Sequence, residues 1–274
     1  MTPANEEILR RIVHGRAGVV IDRAKSYAIE SALAPLVRRE NFGSIDELMN
    51  AIRERRDERL MWAVTEAMSP GETQFFRDSA PFAVVRDVML PRLAERAGDQ
   101  PIKIWSSACA TGQEIYSLAM LADEDRPKLG GARIELFASD LSEGALAKAQ
   151  SGLYTQFEVQ RGLPIKLLLR YFERDGEMWR ISPSLRQMIR WRRINLLADL
   201  SALGRFDIIF CRYVTGFFDE ATRARVLDRL TAGLCEGGYL VLGADEHADG
   251  RDGLTRLVGQ PGVYVREAGA RAAA

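Results

Sequence analysis

From about residue 80 to the C-terminal end, short apolar runs of strand type alternate with helical stretches, and this rhythm constrains the fold more than any other feature. The helix "FAVVRDVMLPRLAERAG" leads to the strand "IKIWSS", the small-residue loop "ACATG" and the helix "QEIYSLAMLADE". "IELFASD" then reads as a strand, "LSEGALAKAQSG" as a helix, and "WRRINLL" and "FDIIFCR" as strands. "DEATRARVLDRLTAGL" reads as a helix, and "GGYLVLG" and "GVYVRE" as closing strands. Strands alternating with helices argue for a mostly parallel sheet covered on both faces, an α/β fold. The stretch at about 154–190 fits the rhythm badly. Its helical run "GLPIKLLLRYF", turn "RDGE" and short strand "MWRIS" read as an insertion. The tail "GARAAA" reads as frayed.

The first 70 residues are different and read as helices only. "EEILRRIVHGRAG" has apolar residues at helical spacing and stops at glycine. "DRAKSYAIESALAPLVRRE" follows, with Pro35 expected to kink or shorten it. Ser44 with Glu47 three residues on is a capping-box pattern that starts a third helix. "ERLMWAVTEAM" is the fourth, and Pro70 and Gly71 in "SPGET" break the pattern. The expected organisation is a helical domain over 1–70, a linker over 71–82 and an α/β domain over 83–274.

Charge and special residues exclude several classes. The 38 Lys and Arg balance the 38 Asp and Glu, so nothing calls for nucleic acid or an anionic membrane. The N-terminal stretch "MTPANEEILRRI" carries acids and arginines where a signal peptide needs an apolar core. No run approaches the ~20 apolar residues of a membrane span. A cytoplasmic protein with reduced thiols follows, because Cys109, Cys211 and Cys235 are far apart and odd in number. With only His14 and His247, a histidine-based triad or zinc site is disfavoured, and no metal is expected.

The loop Ala108–Gly112 follows a strand and opens a helix, so a ligand can approach the backbone at a helix N-terminus. It departs from G-x-G-x-x-G, and tight strand–helix packing explains it as well. Asp140 ends the next strand, where an acid commonly takes ribose hydroxyls; it could equally cap the helix starting near Leu141. Loop and acid together favour an adenosine-type ligand without separating NAD from S-adenosylmethionine. Glu114, in the first helical turn, suits the helix dipole or a cationic ligand. In "FFRDSAPF", Phe75 and Phe76 read as core and Arg77 as either a surface or a site residue.

Taken in order, "SPGETQFFRD", "IKIWSSACATGQEIYSLAM", "ELFASDLSEGALAKAQSGLY", "INLL", "FDIIFCRYVTGFFD" and "GYLVLGADE" resemble the CheR family of chemotaxis methyltransferases over nearly the whole chain. The resemblance implies methyl transfer from S-adenosylmethionine to glutamate side chains of chemoreceptors, leaving S-adenosylhomocysteine. It implies the Rossmann-like methyltransferase sheet with its last strand antiparallel. Thr73, Arg77, Glu114, Asp140, Asn195 and Leu196 match family positions and are expected to line the cofactor site, with Arg77 where substrate and cofactor meet. The implied partner is the methyl-accepting helices of a receptor's cytoplasmic domain, met by a monomer without membrane insertion. Lys25, Arg38 and Arg39 could face those helices or form a solvated helix face. In some family members the inserted region docks a receptor peptide by strand addition.

Four positions depart from the family pattern: Ala32, Gly71, Tyr213 and Phe217. Asn is usual at the places of Gly71 and Tyr213, Tyr at that of Phe217, and Arg at that of Ala32. Tyr213 could stack on the adenine or crowd it. These departures leave a second reading open, a weakly active or non-catalytic module that binds cofactor or partner. A nicotinamide-dependent oxidoreductase is a third, against which the missing glycine fingerprint and the helical N-terminal region both count.

Overall fold

A computed structural model describes residues 1–22 and 26–267. The chain divides into two compact units. The first comprises Met1–Pro70, Asn195–Leu197 and Val214–Val226. The second comprises Gly71–Ile194, Ala198–Tyr213 and the chain from Leu227 onward.

The first unit is built on helices α1 (Pro3–Ala17), α2 (Ser26–Arg39), α3 (Ile45–Arg55) and α4 (Glu58–Met68). The starts of α1, α3 and α4 are written locally. The Thr2, Ser44 and Asp57 side chains accept from Asn5, Glu47 and Leu60 N–H groups respectively, satisfying donors that a helix start leaves orphaned. The capping box at Ser44 is half formed, because the Glu47 carboxylate accepts from the Gly43 N–H. Leu9, Val13, Ile29, Leu33, Leu48, Met49 and Val64 recur at helical spacing and are fully buried. α1 and α2 each pack on both α3 and α4. Pro35 does not shorten α2, which runs on to Arg39. Leu33, Leu36 and Val37 are buried around it. Burial of three such side chains, about 1.5–3 kcal/mol each, outweighs the ~3 kcal/mol that an interior proline costs.

The second unit opens with α5 (Ser79–Val84), a π turn over Val85–Met89, and α6 (Leu90–Ala97). Pro91 accounts for the wide turn: it has no N–H to give, and in a regular helix its ring would meet the Asp87 carbonyl. Then come β1 (Ile102–Ser107), α7 (Gln113–Asp125), β2 (Ile134–Asp140) and α8 (Glu143–Ser151). The next segment holds β3 (Leu153–Thr155), α9 (Gln156–Gln160), α10 (Ile165–Tyr171), β4 (Phe172–Asp175), β5 (Met178–Ile181) and α11 (Pro183–Gln187). The chain continues through β6 (Ile189–Arg193), β7 (Phe206–Cys211), α12 (Glu220–Ala232), β8 (Leu234–Leu242), β9 (Leu254–Arg256) and β10 (Val263–Arg266).

Seven strands form one sheet in the order β6-β2-β1-β7-β8-β10-β9. The first five are parallel, and β10 runs antiparallel to both β8 and β9. β1 and β7 are buried along nearly their whole length, as strands covered on both faces must be. From β1 the chain winds outward to β2 and β6, then returns to β7 on the other side of β1. Ligands of open α/β sheets bind beyond the strand carboxyl ends at such a reversal.

Three sequence expectations change. The strand read as "WRRINLL" starts at Ile189 and stops at Arg193, because the Asn195 side chain turns the backbone by accepting from the Leu197 N–H. The single short strand read at "MWRIS" is the centre of a second sheet, β3-β5-β4. Its outer strands are three and four residues long, too short to show alternation. Finally, α8 starts at Glu143 with Ser142 as its cap, so Asp140 is not the helix cap. The tail "GARAAA" lies outside the described residues.

Candidate functional site

The loop after β1 is held in a conformation its residues do not favour. Ala108 and Ala110 have φ of 53° and 48°, the left-handed region that costs a non-glycine residue roughly 1–2 kcal/mol. Gly112 has φ of 91° and no room for a side chain, since a Cβ there would lie 2.9 Å from the Ala149 Cβ. Neighbours fix the loop. The Ala110 N–H donates to Asp140 Oδ2 at 2.8 Å, the Cys109 N–H to the Ser139 carbonyl at 2.9 Å, and the Tyr154 hydroxyl to the Thr111 carbonyl at 2.8 Å. Asp140 Oδ1 accepts from the Ser142 N–H at 2.8 Å. The half-buried Asp140 therefore shapes the loop. Burial raises the pKa of the Cys109 thiol far above its ordinary value, which disfavours the thiolate.

Beside the loop, Arg212 follows β7 with its side chain almost wholly buried. It donates to Glu114 Oε2 at 3.1 Å, to Asp78 Oδ2 at 2.8 Å and to the Arg77 carbonyl at 2.8 Å. Its Nε is buried without a partner. The other Glu114 oxygen accepts from the Ser106 hydroxyl at 2.8 Å. Arg212 thus ties three segments together: the linker at 77–78, the first turn of α7, and the end of β7.

Tyr213 comes next, with φ of 58°. Its hydroxyl donates to Asp78 Oδ2, and its N–H to Glu246 Oε2 at 2.6 Å. The Arg77 guanidinium lies 3.8 Å from the centre of its ring, and that of Arg212 lies 5.4 Å away. Burial, and then the Asp78 carboxylate, raise the phenol pKa above its ordinary value, so it stays a donor. Arg77 itself donates to the Glu72 carbonyl at 3.1 Å.

Arg77, Glu114, Asp140 and Tyr213 therefore fall together, at the carboxyl ends of β1, β2 and β7. Thr73 is half-buried in the same unit. Asn195 and Leu196 group with the helical unit instead. There the Asn195 amide donates to the Arg16 carbonyl at 2.6 Å, satisfying an acceptor left over at the end of α1. Arg38 and Arg39 are exposed at the end of α2, and Arg39 pairs with Glu40. Lys25 lies outside the described residues. At Gly71 an added Cβ would meet nothing within 4 Å, so crowding does not explain the glycine. Ala32 is half-buried on α2. Phe217 is exposed and helps line a cleft of about 1080 Å³ in the helical unit, together with Arg10, Arg11, His14, Phe218 and Asp219. In that cleft His14 Nε2 and Asp219 Oδ2 are 2.6 Å apart.

Comparison with known proteins decides what this arrangement belongs to. Residues 71–263 match the family model described as "CheR methyltransferase, SAM binding domain". The chain belongs to the CheR methyltransferase family. It is 36% identical to Chemotaxis protein methyltransferase 1 of Pseudomonas aeruginosa, over 96% of this chain and 97% of that one. It is 37% identical to Chemotaxis protein methyltransferase 1 of Vibrio cholerae, over 93% and 94%. Chemotaxis protein methyltransferase Cher2 of Pseudomonas putida is 34% identical over 95% and 96%. This CheR methyltransferase is an S-adenosylmethionine-dependent enzyme of chemotaxis.

The residues present fit that cofactor. Asp78 and Glu114 accept from the Arg212 guanidinium, Asp140 and Glu246 accept from backbone N–H groups of the same edge, and the Arg77 guanidinium rests on the Tyr213 ring. An acidic surplus suits a ligand bearing a sulfonium and an ammonium, while a guanidinium suits its carboxylate. The sequence alone did not single out Asp78, Ser106 or Glu246. Asp78 has φ of 51°, which its position after an arginine does not announce. Glu246 is buried, and its Oε2 accepts from both the Tyr213 and Gly243 N–H groups. An acid in the apolar stretch "GYLVLGADE" was the available signal. Among the described residues no cluster of His, Cys, Asp or Glu is placed to hold a metal, and no helix is long and apolar enough to cross a membrane.

Proposed function

We propose that this enzyme methylates glutamate side chains in the methyl-accepting helices of a chemoreceptor's cytoplasmic domain, giving glutamyl methyl esters. In this reading the donor sits at the carboxyl ends of β1, β2 and β7, and Arg77 meets the incoming carboxylate. Thr73, Glu114 and Asp140 are assigned to the donor. Asn195 and Leu196 are assigned a supporting role, consistent with the bond from Asn195 to the Arg16 carbonyl.

One observation carries the reading most directly. Arg77 and Glu114 belong to segments that share one partner, Arg212, which bonds both the Arg77 carbonyl and the Glu114 carboxylate. Linker and loop helix are thereby held in one place, where positioning and electrostatics can act. S-Adenosylmethionine, when bound, supplies a methyl group on a sulfonium that a carboxylate oxygen can displace in line. A glutamate is already ionised near pH 7, so no residue has to remove a proton. The absence of a histidine from the motifs is thus no obstacle. What the protein must do is align the two reactants and exclude water. The planar Arg77 fork is suited to orienting a carboxylate.

The receptor surface is assigned to the helical unit. Its cleft sets Arg10, Arg11 and His14 beside Glu7, Asp22 and Asp219 and the apolar Val20 and Phe217, a mixture suited to an amphipathic helix. Arg38 and Arg39 supply further exposed positive charge. The enzyme is expected to act as a cytoplasmic monomer.

The test is transfer of labelled methyl groups to purified receptor cytoplasmic domains, scored as base-labile esters. The proposal expects label in Glu-containing peptides and a loss of at least about a hundredfold in Arg77→Ala, in line with the loss of one electrostatic group in such sites. No label above the Arg77→Ala background on any receptor would overturn it in favour of a non-catalytic module.

A further inference from the structure

Tyr213 adopts a backbone conformation that a bulky residue rarely takes. The arrangement persists because its surroundings are built around the ring. A Cβ on Gly243 would fall 2.9 Å from the ring carbons Cδ1 and Cε1, so the glycine makes the space. Glu246 fixes the Tyr213 N–H at 2.6 Å. The ring carries the Arg77 guanidinium at 3.8 Å, and the hydroxyl holds Asp78. Both groups that Tyr213 grips belong to the linker, and they are adjacent. An asparagine here would suit the left-handed backbone better and could offer an amide, but it has no ring for a guanidinium to rest on.

We propose that Tyr213 is a positioning residue: its ring and hydroxyl hold Arg77 and Asp78 in the orientation the methyl-transfer site uses, and it does not itself contact the donor. One face of the ring is taken by Arg77. The inference rests on the role given to Arg77 above, and the two can fail separately.

Two measurements on the full chain decide it. The first needs no ligand. In arginine side-chain NMR spectra, ring current shifts the Arg77 Nε–H signal, which Arg77→Lys identifies by its disappearance. The shift is kept in Tyr213→Phe and lost in Tyr213→Leu. Tyr213→Asn, whose backbone suits the left-handed region, gives the same loss in a protein whose thermal unfolding shows it to be folded. An unshifted signal in the wild type overturns the proposal. The second is calorimetric titration with S-adenosylhomocysteine. Tyr213→Leu and Tyr213→Asn weaken binding roughly three- to tenfold, and Tyr213→Phe by less. In an Arg77→Ala background neither change weakens it further. Losses that add in the double variants mean that Tyr213 touches the cofactor directly, and the proposal falls. If the wild type binds no S-adenosylhomocysteine, the proposed donor site fails while the NMR result still decides the role of Tyr213.

Discussion

The helical unit and the carboxyl edge of the sheet reach order by opposite routes. In the helical unit the starts of α1, α3 and α4 each have a residue suited to its place, with Thr2, Ser44 and Asp57 as caps. At the sheet edge, Phe76, Asp78, Ala108, Ala110 and Tyr213 all have positive φ, although none is glycine; in the helical unit Asn41 and Arg56 share that region, just past the ends of α2 and α3. Such strain survives only where surrounding bonds over-determine it, and it concentrates at functional sites. Here the bonds come from Asp140, Glu246 and Arg212. One region is held by local rules, the other by charged groups brought together from distant parts of the chain.

The largest effect that would test this contrast is at Arg212. Arg212→Met keeps bulk but removes the bonds to Asp78, Glu114 and the Arg77 carbonyl. The Glu114 carboxylate, only 12% exposed, would lose its ionic partner. Removing one member of a buried pair typically costs about 3–5 kcal/mol, so denaturant unfolding should show a loss of that size. A cost below about 1 kcal/mol would mean that the edge does not depend on its charge pairs.

The same contrast explains what the sequence disclosed. The α/β rhythm, the start of α3 and the antiparallel last strand could be read because periodicity, caps and family motifs are local in the chain. The β3-β5-β4 sheet could not, because strands of three or four residues are defined by their partners. Among the candidate site residues, Arg77, Glu114, Asp140 and Tyr213 were legible as motif positions, but their bonds were not. Asp140 suggested either a ribose ligand or a helix cap. Its observed partners are the backbone of the loop and of its own turn, which no spacing rule indicates. Asn195 was legible only as part of a motif; its bond to Arg16 spans 179 positions.

Smaller effects should separate the two regions by size. Ser44→Ala removes the cap of α3 and should cost about 1 kcal/mol. Ala63→Gly, inside α4, should also cost about 1 kcal/mol, the usual helix penalty. Ala110→Gly should behave differently. Glycine adopts φ of 48° freely and keeps the N–H that Asp140 accepts, while its unfolded chain gains entropy. The two terms nearly cancel, so thermal unfolding should place Ala110→Gly within about 0.5 kcal/mol of wild type. A cost equal to that of Ala63→Gly would show that the loop stores no strain.

The smallest effect concerns an ion pair between distant residues of the helical unit, His14 and Asp219. The hydrogen bond from His14, and then the Thr222 N–H, hold the Asp219 carboxyl well below its ordinary value of 3.8. A carboxyl whose pKa is lower in the folded state contributes stability above its unfolded pKa, and the contribution is lost as pH falls through the folded one. Asp219→Asn removes the contribution at every pH. The melting temperatures of the two proteins should therefore differ at about pH 5 and converge as pH falls from about 4 towards 2. The pair is partly exposed, so salt should shrink the difference. The sheet edge should respond less to salt, because Arg212 is buried and its bonds are screened less. Equal salt sensitivity in Asp219→Asn and Arg212→Met would dissolve the distinction between a surface pair and a buried hub.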